Sequence, residues 1–152
     1  MEERYLYRGK ILTSKTWIIG HLIVDKDGKH YILPTKAFMY GNGMMLHVAL
    51  TEVDPATIGQ CTGLRETVVN GEYKSGDLIF EGDAITIATY SYHEPSGDYS
   101  GIVAIGPLGY GLHYSDGYGG QKWVYLCELQ GSHITHYSKY GNIHDNHELL
   151  AP

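Results

Sequence analysis

The stretch from Val53 to Ile87, VDPATIGQCTGLRETVVNGEYKSGDLIFEGDAITI, constrains this chain more than any other. Pro, Gly, Asn and Asp crowd its first part, and after Glu81-Gly82-Asp83 the apolar residues Ile85 and Ile87 alternate with Ala84, Thr86 and Ala88. A period of two identifies a half-buried strand, entered here through a tight turn. Gly82 accepts positive φ without a Cβ clash, and Asp83 is suited to bond nearby backbone amides, so together they re-aim a chain entering a sheet. Helical periodicity is nearly absent elsewhere, and twenty glycines and fourteen tyrosines fit turns, bulges and half-buried pleated surfaces. The expected fold is mainly β.

Taken in order, the sequence offers a short strand at Tyr5 to Arg8, broken by Gly9-Lys10, and a strongly apolar strand at Thr16 to Val24. Gly20 inside that strand signals a bulge or a close backbone approach. Asp27-Gly28 is a hairpin signal joining it to His30-Tyr31-Ile32-Leu33, which Pro34 ends. Met44 to Leu50 is read as a strand over a buried helical turn, and Thr57 to Thr62 as a short strand stopping at Gly63. Residues 66–76 form an exposed excursion with its own Asn70-Gly71 turn. Asp83 to Tyr92 and Gly101 to Ile105 should run antiparallel. The segment GPLGYGLHYSDGYGG, 106–120, is either a flexible loop or a loop flanking a strand at Tyr110 to Tyr114 whose tyrosines pack over glycine backbone. Lys122 to Leu129 reads as a buried strand and Ile134 to Ile143 as another; Asp145 or Asn146 is suited to cap one short C-terminal helical turn that docks through Leu149 and Leu150.

At 152 residues the chain is long enough to bury roughly 70% of its unfolded surface, so a core forms without staples. Cys61 and Cys127 belong to no CxxC pair, which removes a disulfide framework or zinc ribbon and makes reduced, cytoplasmic thiols the default. No run reaches the ~20 apolar residues of a membrane helix, and the opening MEERYLYRGK carries acids where a signal peptide is basic and then apolar. A cytoplasmic protein without a membrane partner is expected.

The formal charge of −6, with 11 basic and 17 acidic residues, lacks the excess that nucleic-acid binders use to displace counterions. Nucleic acid is therefore not favoured, although Arg4, Arg8, Lys10 and Lys15 would make a local basic surface. Nine histidines raise the question of a metal, but His133 and His136 point to opposite faces of a regular strand. His144 and His147 have no third ligand at evident spacing, so no metal is assigned. Glu81 and Asp83 share a face around Gly82, yet turn capping accounts for Asp83 better than acid–base chemistry. No cysteine has a nucleophile context and no glycine loop precedes a helix, so neither a catalytic residue nor a cofactor is assigned. The tyrosines from Tyr90 to Tyr125 carry the remaining functional signal. Tyr90, Tyr92, Tyr110, Tyr114 and Tyr118 form a candidate interaction surface, or else they cover the outside of a thin barrel.

Four motifs in order carry a family resemblance. Tyr7-Arg8-Gly9-Lys10 with Trp17 and Gly20, then Thr62-Gly63-Leu64, then Ile79-Phe80-Glu81-Gly82-Asp83, and finally Tyr140-Gly141-Asn142-Ile143 through Leu149-Leu150 resemble the YopX family of phage and prophage proteins. The segment between Leu64 and Leu78 is longer than is common in that family, and His147 stands where a proline is usual. The resemblance implies one YopX-like domain over 1–152, with structural roles for Gly63, Glu81, Gly82, Asp83, Gly141 and Asn142. It also implies a small accessory role of phage or prophage origin, and it supplies no activity. The turn, strand, loop and Gly-Ile-Val order is similar to SH3-like small barrels, so the expected architecture is an N-terminal β-ribbon over 1–50 and a barrel core with a docked tail over 53–152. The function expected from this is a noncatalytic protein-interaction module that self-associates and meets a host or phage protein. A nucleic-acid-associated accessory protein is the alternative, and a small enzyme the third.

Overall fold

The computed structural model describes residues 3–34, 50–90, 97–115, 118, 120–126 and 133–146. It is mainly β, with antiparallel strand pairs throughout, and divides into two compact units, Met1–Cys61 and Thr62–Pro152. No helix among the described residues is long and apolar enough to cross a membrane.

In the first unit, β1 (Tyr7–Lys10), β2 (Trp17–Val24), β3 (His30–Pro34) and β4 (Thr51–Glu52) lie in the order β4-β3-β2-β1. β5 (Gly59–Arg65) pairs with β1 through Gly59 and Gln60, and its later residues carry the chain into the second unit. β1 runs straight through Gly9, because a side chain there would meet Val53 Cβ at 3.1 Å; the glycine makes room rather than breaking the strand. Gly20 marks a close approach, with an added Cβ only 2.7 Å from the Leu33 carbonyl carbon. The β2–β3 hairpin forms at the expected place, but Asp25 organises its turn, accepting the amides of Asp27 and Lys29 at 2.9 Å each. Asp54 accepts the Ala56 amide at 3.0 Å and starts a short 3-10 turn at Pro55–Thr57, so the strand expected from Thr57 begins instead at Gly59. Proline at the first position of that turn loses no hydrogen bond. The expected strand at Met44 to Leu50 lies outside the described residues apart from Leu50.

The second unit holds β6 (Val68–Val69), β7 (Glu72–Tyr73), β8 (Leu78–Phe80), β9 (Asp83–Tyr90), β10 (Gly97–Gly106), β11 (Gly109–Ser115), β12 (Gln121–Tyr125) and β13 (His133–Asn142). Five of these form one sheet in the order β12-β11-β10-β9-β13, and β8 lies beside β5. One face of the five-stranded sheet supplies Ile85, Ile87, Val103 and Leu112, which with Ile79 and Leu126 make the core. The 106–120 segment is thus ordered over β11, and β5 continues past Gly63, whose φ of 83° is accommodated within the strand. The 66–76 excursion is a small β6–β7 hairpin turning on Asn70 and Gly71, whose φ values of 52° and 81° are the paired positive values of a type I′ turn.

Candidate interaction surface

The Glu81-Gly82-Asp83 turn is held from three directions within the second unit. Gly82, at φ 92°, donates its amide to the Val103 carbonyl at 2.8 Å, and its carbonyl accepts the Ile143 amide at 3.0 Å. Asp83 is 1% exposed; its Oδ2 accepts the Phe80 amide at 2.8 Å and lies 3.4 Å from Lys139 Nζ. Glu81 is half-buried at the same turn. This geometry makes Asp83 a structural clamp joining the turn to β13. Thr62, just before Gly63, donates its hydroxyl to the Ile79 carbonyl at 2.8 Å and accepts the Leu64 amide, tying β5 to β8.

At the end of β13, Asn142 caps the turn at 143–145; the helical turn that Asp145 or Asn146 was expected to cap runs into residues 147–150, outside the described residues. Asn142 Oδ1 accepts the amides of His144 and Asp145 at 3.0 and 2.9 Å, while Asn146 Oδ1 accepts the Asn142 amide. Asparagine reaches these amides because a short carbonyl side chain matches a turn two or three residues on. Gly141 precedes it at a register shift where β13 pairs with β9. The tail with Leu149 and Leu150 lies outside the described residues.

Glu66 is a contributor with no motif to announce it. It is 8% exposed, its Oε1 accepts the Lys139 amide at 2.9 Å and its Oε2 the Asp77 amide at 3.3 Å. Thr67 adds a reciprocal pair, its amide donating to the Tyr137 carbonyl at 2.9 Å and its hydroxyl accepting the Tyr137 amide at 2.8 Å. Tyr73 stacks on His136 at 4.6 Å, so the hairpin is docked along β13. Burial raises the phenol of Tyr137 above its ordinary value of 10.0, and that of Tyr140 likewise.

The expected tyrosine surface separates into different environments. Tyr110 and Tyr114 share the core-facing side of β11 with Leu112 and are half-buried against the core; Tyr114 meets Tyr99 edge to face at 5.3 Å. Tyr118 is 95% exposed. Tyr90 ends β9, and Tyr92 lies outside the described residues.

The opposite side of the same sheet gathers rings that the tyrosine count does not single out. Strand register puts His113 opposite Trp123 and Gly111 opposite Tyr125. His113 lies 4.6 Å from Trp123, and Trp123 meets Tyr125 edge to face at 5.2 Å. The rings rest on glycines: a Cβ at Gly111 would stand 2.6 Å from Trp123 Cη2, and one at Gly106 would stand 2.8 Å from Tyr125 Oη. β12 ends the strand order among the described residues, with Gln121 and Lys122 exposed, Trp123 to Tyr125 half-buried and Leu126 buried; the remainder of the expected buried strand, 127–129, lies outside the described residues. Tyr118 just before β12 and Leu108 at the β10–β11 turn, 78% exposed, add apolar surface.

Among the described residues no three His, Cys, Asp or Glu side chains converge as a metal would require. Cys61 is fully buried in β5. No protein-family model matches the chain, and no curated protein and no solved structure matches it.

Proposed function

We propose that this protein is a noncatalytic interaction module that self-associates, a small accessory protein of a phage or prophage working in the host cytoplasm. The observation that carries this reading is the His113–Trp123–Tyr125 ledge, in which Trp123 and Tyr125 lie over Gly106 of β10 and Gly111 of β11. Aromatic rings with an apolar body and a polar tip are enriched where protein surfaces meet. The four motifs support membership of the YopX family, because each lies at a structural junction: Thr62 on Ile79, Asp83 on Phe80 and Lys139, Asn142 on the turn at 143–145, and Gly9 against Val53. An SH3-like closure of the five-stranded sheet is the finer architecture we infer from the same turn and strand order.

The test is oligomeric state against concentration by sedimentation. The wild-type chain should shift toward a larger species over the micromolar range, and Trp123→Ala together with Tyr125→Ser should stay monomeric while keeping a wild-type circular dichroism spectrum. A chain that remains monomeric at all concentrations refutes self-association. A tagged pull-down from phage-carrying cells, with and without nuclease, then tests for another protein partner: a stoichiometric, nuclease-resistant protein lost with the ledge variant is the expected result.

A further inference from the structure

The net charge of the chain hides an uneven division. Met1–Cys61 contains seven Lys and Arg against six Asp and Glu, whereas Thr62–Pro152 contains four against eleven. The acidity that argues against nucleic acid belongs to the second unit. The first is close to neutral, and the distribution of its charge over the sheet decides what it attracts.

Strand register sorts that sheet into two faces. Lys10 is opposite Trp17, Arg8 opposite Ile19, His21 opposite the buried Leu33, and Ile23 opposite Tyr31, so these residues share one face. Arg8 Cζ lies 4.6 Å and Lys10 Nζ 5.4 Å from the centre of the Trp17 ring, which places two cations on one indole. Ile19 and Ile23 are 42% and 40% exposed between the rings, and Trp17, His21 and Tyr31 are half-buried. Arg8 is 7% exposed and acts through its charge, leaving Lys10 as the cation nearer solvent. Glu52, opposite Tyr31 on β4, shares the face and confines the positive region to the β1 and β2 side.

Rings spaced along adjacent strands beside clustered cations are what a single strand needs: each base has a face to stack, and the phosphates need positive charge along one border. An acidic peptide would use the cations but leave the three rings without a role, so the rings favour nucleic acid. We propose that this face of the first unit binds single-stranded nucleic acid, with bases stacking along Trp17, His21 and Tyr31 and phosphates passing Lys10. The site is separate from the aromatic ledge and does not depend on self-association.

Fluorescence anisotropy of a labelled oligothymidine of about 12 nucleotides, titrated with the full chain, tests this. Binding should weaken steeply between about 50 and 200 mM salt. Trp17→Ala and Tyr31→Ala should each weaken it about tenfold, the loss of one stacked base. Lys10→Gln should lower the salt slope by about one. Lys74→Gln, an exposed charge in the other unit, should leave both affinity and salt slope unchanged. Circular dichroism checks each variant's fold, and Lys10→Gln alone is decisive if a ring variant melts, since it replaces a half-exposed charge. The proposal is overturned if the oligomer does not bind at about 50 mM salt, or if Lys10→Gln leaves the salt slope unchanged. Equal affinity for duplex DNA, or equal competition by polyglutamate, would also overturn it, the latter identifying an acidic peptide as the ligand class.

Discussion

Asp83→Ala should destabilise the second unit by about 3 kcal/mol. The carboxylate is 1% exposed, accepts the Phe80 amide at 2.8 Å and faces Lys139 Nζ at 3.4 Å, with the lysine side chain itself only 19% exposed. Removing one partner of a buried ion pair typically costs about 3–5 kcal/mol, because the remaining charge is left in low dielectric. The lower end applies here, since Lys139 retains some water access. The lost Phe80 hydrogen bond is part of that cost. Against a typical domain stability of about 5–15 kcal/mol, a large fraction is removed.

The two tryptophans make the measurement specific. Trp17 belongs to the first unit and Trp123 to the second, so a Trp17→Phe background reports the second unit alone. In urea, with a slope of about 2 kcal/mol/M, Asp83→Ala should lower the midpoint by about 1.5 M. Lys139→Met separates the ion pair from the turn: the double variant should be more stable than additivity predicts by at least about 1 kcal/mol, because the stranded charge is gone. A loss below about 1 kcal/mol, with an additive cycle, would refute the clamp. A stable Asp83→Ala protein that had lost a biological activity would instead assign the carboxylate to chemistry.

Gly101→Ala should prevent the β10–β11 pair from closing, because its Cβ would stand 2.8 Å from the His113 carbonyl carbon; loss of the cooperative second-unit transition is the readout. Glu66→Ala leaves the Lys139 and Asp77 amides without their carboxylate and should cost about 2 kcal/mol, with faster hydrogen exchange at those two amides than at the β10–β11 ladder. Tyr137 carries a pH dependence. Its folded pKa is raised, so its contribution is complete below the ordinary 10.0 and is lost as pH climbs through the folded value; the urea midpoint should fall as pH rises above 10.0, and less so in Tyr137→Phe.

The strands of this protein were legible where one face is apolar and the other is not. The alternation around Ile85 and Ile87 placed β9, Asp27-Gly28 placed a hairpin and Asn70-Gly71 placed a turn, because these signals lie within a few residues of what they specify. Cross-strand facts were not legible. Nothing local shows that Glu66 will reach the Lys139 amide, or that Thr67 will pair with Tyr137, since each depends on where a distant strand lands. Which tyrosines share a surface depends on strand placement in the same way. Tyr110 and Tyr114 are turned toward the core by their position on β11, Tyr118 is exposed, and the rings on the other side of the sheet come from His113 of β11 and from β12.

Glycine links these two outcomes. In the second unit Gly101 lets β10 and β11 backbones approach, while Gly106 and Gly111 give floor space to Trp123 and Tyr125, and a one-residue slip of β12 would put both rings on the other side. The glycine-rich segment is therefore a seat for the ledge as well as a stretch of strand. An alanine at Gly111 would stand 2.6 Å from Trp123 Cη2 and 2.7 Å from the Val124 carbonyl oxygen, so it should displace the indole and strain the β11–β12 ladder together. Trp123→Ala removes the ring and leaves the backbone in place. If self-association depends on the ledge, Trp123→Ala should weaken it while leaving the hydrogen-bonded core intact; if it depends on the strand edge alone, the substitution should leave the sedimentation profile unchanged.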